Sequence, residues 1–264
     1  MIRTILARLR QGHRTIPYPA QEPVLPDRLR GRPVLDGAKC IDGCRKCAEA
    51  CPTDAIRTEG GKLAIDLGRC LFCTDCTEAC PEGAIRYAPE YRMATRMRED
   101  LVVGEGTMIL AKALDEKMRA LFGRSLKLRQ VSAGGCNACE ADLNVLSTVV
   151  FDLGRFGIQF VASPRHADGL VITGPVTQNM KLALQKTWEA TPAPKLVIAV
   201  GACAISGGPF AGHPEQNNGC DSIVPVDLYI PGCPPHPMTI LDGLLRLLGR
   251  LPAAKSQISN PKSQ

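Results

Sequence analysis

The chain has 264 residues, enough for two domains, and only 4% of them are aromatic, which argues against one large core. The formal net charge is +6, and no apolar run approaches the roughly 18 residues of a membrane-spanning helix. Thirteen cysteines in a secreted protein would suggest disulfides; no signal peptide is recognised here, so they are expected to ligate metal.

Residues 1–34 are basic. Seven arginines (Arg3, Arg8, Arg10, Arg14, Arg28, Arg30, Arg32) face only Glu22 and Asp27. Ile2, Ile5, Leu6 and Leu9 fall on one helical face among those arginines, which predicts a short basic amphipathic helix. Pro17, Pro19, Pro23 and Pro26 then enforce an extended strap. Such a segment suits an anionic membrane surface or an acidic partner subunit; a solvated basic tail is the plain alternative.

Residues 35–100 carry eight cysteines in two dense runs, each closed by a proline: Cys40, Cys44, Cys47, Cys51-Pro52, then Cys70, Cys73, Cys76, Cys80-Pro81. The second run is the C-x2-C-x2-C-x3-C-P pattern of bacterial two-cluster ferredoxins, in which three thiolates wrap one cubane and the fourth reaches across to the other. One [4Fe-4S] cluster is therefore assigned to Cys40, Cys44, Cys47 and Cys80, and a second to Cys51, Cys70, Cys73 and Cys76. Ile41-Asp42-Gly43 makes the first run one residue longer, so a distorted or three-iron site stays open there. An internal repeat agrees with the pairing: Cys44, Cys47, Cys51, Ala55 and Ile56 recur 29 positions later as Cys73, Cys76, Cys80, Ala84 and Ile85. Two zinc sites would need cysteine pairs set well apart.

Residues 101–124 predict a linker helix, from Glu105 to Phe122, with Met108, Ile109, Ala111, Leu114, Met118 and Leu121 on one face. Across 125–252, strands are expected near Leu126–Val131, Ile158–Ala162, Gly169–Thr173, Leu196–Val200 and Asp227–Ile230. Helices are expected near Ala138–Leu153, Asn179–Glu189 and Pro237–Leu248. The alternation implies a mostly parallel α/β, doubly wound, flavodoxin-like sheet behind the α+β ferredoxin part. Cys136, Cys139, Cys203 and Cys233 all fall just beyond predicted strand ends, where such sheets bind ligands, and a third [4Fe-4S] cluster is assigned to them. No glycine-rich dinucleotide fingerprint or phosphate loop follows any strand. Cys220, in the polar loop after Asn217-Asn218-Gly219, is left without partners; Glu140, Asp142 and His236 stand near the third set. His13, His166 and His213 show no metal-ligand spacing. Residues 253–264 are read as a disordered tail.

Gly135-Cys136-Asn137-Ala138-Cys139-Glu140, Gly201-Ala202-Cys203-Ala204-Ile205-Ser206-Gly207-Gly208 and Pro231-Gly232-Cys233-Pro234-Pro235-His236-Pro237 resemble the 20 kDa subunit of respiratory complex I (NADH:ubiquinone oxidoreductase) and the small subunits of membrane-bound nickel–iron hydrogenases. Asp66-Leu67-Gly68-Arg69-Cys70-Leu71-Phe72-Cys73 and Arg14-Thr15-Ile16-Pro17-Tyr18-Pro19 resemble the two-cluster ferredoxin subunit of the same complexes, formate hydrogenlyase type. The chain looks like a fusion of two neighbouring subunits. In that family the complex I members present their first two ligands as adjacent cysteines, whereas the group 4 hydrogenase type separates them by two residues, as Asn137 and Ala138 do here. A carboxylate, usually glutamate, often stands three residues after the second ligand; Asp142 occupies that place and Glu140 is near it.

The resemblance implies an electron-transfer subunit of a membrane-associated oxidoreductase complex, on the cytoplasmic inner face of the membrane. Its implied partners are a large catalytic subunit, an electron-donor or acceptor iron–sulfur subunit and membrane-arm subunits, with no nucleic acid. The bond-making site is expected outside this chain, with Glu140 and Asp142 as possible proton-coupled groups. A quinone-reducing complex, with this chain contributing to quinone binding, is the second reading, and a free ferredoxin shuttle the third. The apolar Val149–Phe151 and Leu241–Leu248 stretches speak for docking and against the shuttle.

Overall fold

A computed structural model describes residues 2–12, 14–59, 62–106 and 108–252; the expected tail, 253–264, lies outside them, as does His13. Helix α1 (Ile2–Gln11) forms as its periodicity predicts, but none of its residues is buried, and Ile2, Ile5, Leu6 and Leu9 are 46–75% exposed. The strap that follows is fastened to distant parts of the chain. The Thr15 hydroxyl and Ile16 N–H donate to the carbonyls of Val149 and Val150. Tyr18 is buried edge-on against Tyr91, ring centroids 6.1 Å apart, and its hydroxyl donates to Asp242 Oδ1 at 2.9 Å.

The next part contains β1 (Pro33–Leu35), α2 (Lys46–Glu49), β2 (Ile56–Glu59), β3 (Lys62–Asp66), α3 (Asp75–Ala79), β4 (Ile85–Tyr87) and β5 (Val102–Val103). β1 pairs with β4 and β2–β3–β5 form a second sheet, all antiparallel, which places the small sheets around the two cysteine runs. Ala55 and Ile56 in the first half and Ala84 and Ile85 in the second are buried, so the repeat reaches the core as well as the ligands.

The predicted helix over Glu105–Phe122 is corrected to α4 (Glu116–Phe122) alone, opened by Asp115, whose side chain accepts from Met118 N–H at 2.9 Å. Upstream the backbone is engaged across the fold: Ala111 N–H donates to Ala94 O and Leu114 N–H to Leu247 O. Met108, Ala111 and Leu114 are buried, whereas Ile109 and Leu121 are more than half exposed. Donors spent on distant carbonyls are not available to a helix ladder.

The last part holds β6 (Leu126–Ser132), α5 (Ala138–Val145), β7 (Ile158–Phe160), β8 (Gly169–Thr173), α6 (Gln178–Ala190), β9 (Leu196–Val200), α7 (Ala202–Ser206), β10 (Leu228–Ile230) and α8 (Pro237–Leu247). The five strands make one all-parallel sheet in the order β10-β9-β8-β6-β7. β8 and β9 are buried at every position, as strands covered on both faces must be. α5 stops at Val145 rather than Leu153, because the Thr148 hydroxyl takes up the Val145 carbonyl and the chain turns to meet the strap. α8 is buried along its whole length, so Leu241–Leu247 belongs to the core and offers no docking surface; its one ion pair, Arg246 Nε to Asp242 Oδ2 at 2.7 Å, satisfies the charges it carries inside.

The two parts are joined by backbone and side chain. Thr95 and Tyr229 exchange N–H···O bonds at 3.0 and 2.9 Å, which adds an antiparallel bridge to β10. Arg98 grips Asp66 with two bonds of 2.8 and 2.7 Å, and the Ser206 hydroxyl donates to Gly68 O at 2.8 Å.

Candidate iron–sulfur centres

Cys40, Cys44, Cys47 and Cys80 line one pocket, and Cys51, Cys70, Cys73 and Cys76 line a second. The exchange of fourth cysteines follows from local structure. Cys51 and Cys80 each come just after a short helix, α2 or α3, and those helices lie against each other. Each of these cysteines accepts a backbone N–H four residues on, Ala55 to Cys51 and Ala84 to Cys80, both at 3.3 Å, so the repeat is reproduced atom for atom. Cys70 Sγ accepts from Phe72 N–H at 3.3 Å. The Tyr87 hydroxyl lies 3.7 Å from Cys70 Sγ and 3.8 Å from Cys76 Sγ, a contact that motif spacing alone does not reveal.

Cys136, Cys139, Cys203 and Cys233 meet at the carboxyl edge of the parallel sheet. Cys136 follows β6, Cys139 lies in α5, Cys203 in α7 directly after β9, and Cys233 after β10. Cys136 and Cys233 are exposed, so this set opens to the surface. Glycine is required where the thiols turn inward. A Cβ on Gly201, at φ 89°, would sit 2.5 Å from Cys139 Sγ, and one on Gly208 2.8 Å from Cys203 Sγ.

Burial pushes the Cys70 thiol up to about 12 and Cys203 to about 11, with neighbouring thiols adding to the rise at Cys203. Burial likewise raises Cys40, Cys47, Cys76, Cys139 and Cys233. Where burial raises these thiols, bound cationic charge is what would make thiolates of them, and a metal cluster supplies it. The donor chemistry therefore fits a polynuclear thiolate-held centre. The second and third sets are neighbours: Phe72, between Cys70 and Cys73, lines one cavity with Gly232 and Pro234, which flank Cys233. Arg30 donates to the carbonyls of Phe72 and Cys73 from the strap side.

Cys220 sits apart from all three sets. Its polar sequence neighbourhood suggests an open loop, yet it is fully buried, with N–H donated to Ala204 O, and burial pushes its thiol up to about 12. Glu140 is buried; burial pushes its carboxyl up, but the hydroxyls of Ser132 and Thr173, both donating to Oε1 at 2.6 Å, outweigh it and hold the group below the usual range. Those bonds tie α5 to the ends of β6 and β8. Asp142 and His236 line one cavity of about 230 Å³ between Phe72 and the Cys233 loop. Burial pushes Asp142 up and His236 down, and His236 Nδ1 accepts from Met238 N–H at 3.2 Å, capping α8.

Fold and site together define an iron–sulfur protein: a ferredoxin-like 4Fe-4S part followed by a parallel five-stranded sheet with cysteines at its carboxyl edge. Residues 136–247 match the family model of the NADH ubiquinone oxidoreductase 20 Kd subunit, and residues 39–100 that of the 4Fe-4S dicluster domain. The chain is 42% identical over 143 residues to "Probable membrane-bound hydrogenase subunit mbhJ" of Pyrococcus furiosus, covering 53% of this chain and 86% of that one. It is 42% identical over 151 residues to "Formate hydrogenlyase subunit 7" of Escherichia coli, covering 57% of this chain and 58% of the relative. An NADH-quinone oxidoreductase subunit of Heliobacterium modesticaldum matches at 42% over 130 residues, 49% of this chain and 70% of the relative. Among solved structures, a chain of the archaeal membrane-bound sulfane sulfur reductase overlays 52% of this chain and 75% of its own, with TM-score 0.45 and 34% identity. The chain belongs to the NADH:ubiquinone oxidoreductase 20 kDa subunit family, and it carries a 4Fe-4S dicluster domain ahead of that region.

Proposed function

We propose that the chain is the iron–sulfur electron-transfer subunit of a membrane-associated oxidoreductase complex of the group 4 nickel–iron hydrogenase or formate hydrogenlyase kind. The observation that carries this is that Phe72, between Cys70 and Cys73, lines one cavity with Gly232 and Pro234, which flank Cys233, so the second thiol set stands beside the third. In this reading Cys40, Cys44, Cys47 and Cys80 hold the first [4Fe-4S] cluster, Cys51, Cys70, Cys73 and Cys76 the second, and Cys136, Cys139, Cys203 and Cys233 the third. The clusters supply one-electron storage. The chain's own residues ligate them, bury them and donate hydrogen bonds to their sulfurs, which sets potential.

The domain division proposed is a basic helix and strap over 1–34, a ferredoxin domain over 35–100, a linker over 101–124, the 20 kDa-type domain over 125–252 and a tail over 253–264. The parallel sheet is read as doubly wound and flavodoxin-like. Its spatial order counted along the chain, second, first, third, fourth, fifth, supports that reading, as do the cysteines at its carboxyl ends. Exposed Cys136 and Cys233 support a large catalytic subunit docked over the third set. A donor or acceptor iron–sulfur subunit faces the first set, and membrane-arm subunits complete the complex. The uncovered apolar face of α1, with Arg3, Arg8 and Arg10 beside it, supports a peripheral place on the inner face of the membrane. No described helix is long and apolar enough to cross a membrane. Asp142, lining a cavity with His236, is the carboxylate assigned to proton coupling, since Glu140 is committed to Ser132 and Thr173.

Anaerobically purified chain is expected to hold about twelve irons and twelve acid-labile sulfides, from three four-iron clusters. Stoichiometric zinc without broad visible absorbance overturns the reading. A quinone-reducing complex is the second reading, favoured by the 42% identity to an NADH-quinone oxidoreductase subunit. The two-residue separation of Cys136 and Cys139 speaks for the hydrogenase kind, and hydrogen-dependent dye reduction by the purified complex separates the two.

A further inference from the structure

From Cys44 onward the halves of the ferredoxin-like part repeat at an offset of 29 residues, so positions near one cysteine set can be compared with those near the other. Two hydroxyls break the correspondence. Tyr87 stands where the first half has Thr58, and Thr77 where it has Ala48. The Tyr87 hydroxyl bridges Cys70 Sγ and Cys76 Sγ at 3.7 and 3.8 Å. The Thr77 hydroxyl oxygen, on the residue next to Cys76, is buried and has no hydrogen-bond partner among the described residues. Thr53 also approaches Cys51 Sγ, at 3.8 Å, but its proton is spent on Arg69 O at 2.8 Å. Around Cys40, Cys44, Cys47 and Cys80, no hydroxyl of a described residue bonds a sulfur. The backbone donors of Ala55 and Ala84 are equivalent and cancel between the halves.

A ligating thiolate carries no proton, so the single Tyr87 O–H proton is donated to, or shared between, the sulfurs of Cys70 and Cys76, and the unpartnered Thr77 hydroxyl beside Cys76 is free to donate in the same direction. Donation toward a ligand sulfur stabilises whichever redox state holds more negative charge, which is the reduced one. We propose that Tyr87 and Thr77 raise the reduction potential of the cluster held by Cys51, Cys70, Cys73 and Cys76 above that of its twin, so that an electron shared by the two rests on the side next to Cys233. The inference rests on the cluster ligation proposed above.

The test is an anaerobic redox titration of the full-length, cluster-loaded chain, followed by electron paramagnetic resonance, with iron determined on every sample. The step belonging to the second cluster is identified by its loss in Cys73→Ser. Tyr87→Phe removes only the hydroxyl and keeps the ring against Phe72, where the centroids are 6.2 Å apart. It is expected to move the second cluster's midpoint to more negative potential, leave the first unmoved, and raise the iron–thiolate stretching frequencies in resonance Raman spectra. Thr77→Val is expected to act in the same direction, and it carries the test if Tyr87→Phe does not assemble. Full iron content with both midpoints unmoved in both variants, or a shift confined to the first cluster, overturns the inference. An iron-free wild-type chain overturns the ligation reading instead.

Discussion

Replacing Tyr18 by phenylalanine should loosen the N-terminal strap without disturbing either domain. Phenylalanine keeps the edge-on contact with Tyr91 and the apolar burial, so the change isolates one hydroxyl. That hydroxyl is the donor to Oδ1 of Asp242, a carboxylate that is 0% exposed and whose other oxygen is held by Arg246. A hydrogen bond to a charged group contributes roughly 1.5–3 kcal/mol, and a buried acceptor left unsatisfied puts the loss at the upper part of that range. Each 1.4 kcal/mol is about tenfold, so local opening should become about ten- to a hundredfold more frequent. Hydrogen–deuterium exchange followed by mass spectrometry reads this directly in peptides spanning residues 14–25, where Ile16 N–H is bonded to Val150 O and Gln21 N–H to Pro17 O. Arg155→Met, which removes the donor to Tyr18 O, should loosen the same peptides. Unchanged exchange there, or an equal increase in β8 and β9, would refute the idea that this bond fastens the strap.

Cys80→Ser should empty or convert the cluster held by Cys40, Cys44 and Cys47 and spare the one held by its sequence neighbours; iron analysis with spectra of the two reducible centres decides it. Cys220→Ser should leave iron content and cluster spectra intact while lowering stability by about 1–2 kcal/mol, because it buries a hydroxyl where a weakly polar thiol was. Cys233→Ser should lose the third cluster with the other two still reducible by dithionite. For His236, burial lowers the folded-state pKa below the unfolded value of about 6.5, so the unfolded chain binds the extra proton first and stability falls as pH drops below that value. Protonation also takes Nδ1 away from Met238 N–H. His236→Asn retains a capping acceptor and should flatten the melting temperature between about pH 7 and 5.5.

What is legible in the sequence is local. Cysteine spacing foretells which cysteines share a pocket, because three at short intervals lie in one loop and the fourth comes from the other run, and the central strands announce themselves as unbroken apolar runs. The linker departs from its reading for the opposite reason. Met108, Ala111 and Leu114 repeat at helical spacing, yet the carbonyls of Ala94 and Leu247 claim the backbone donors of Ala111 and Leu114 from far along the chain. Cys220 misleads because Asn217, Asn218 and Gly219 beside it are polar, while its burial comes from Ala204 and the elements around it. Tyr87 and Thr77 carry a signal that motif matching passes over. It lies in the comparison of one half of the repeat with the other, position by position.

The strap also orders events during synthesis. Tyr18 and Asp242 are 224 positions apart, and Arg155 is likewise made long after the strap has left the ribosome. By then residues 33–103, with both dense cysteine runs and every strand of the small sheets, are already outside. The two cysteine-lined ferredoxin pockets can thus form before the Tyr18–Asp242 bond can close. The strap's bond to α8 forms only once Asp242 has been made, so a nascent chain truncated before that residue would hold the strap through Tyr91, Val149, Val150 and Arg155 without it.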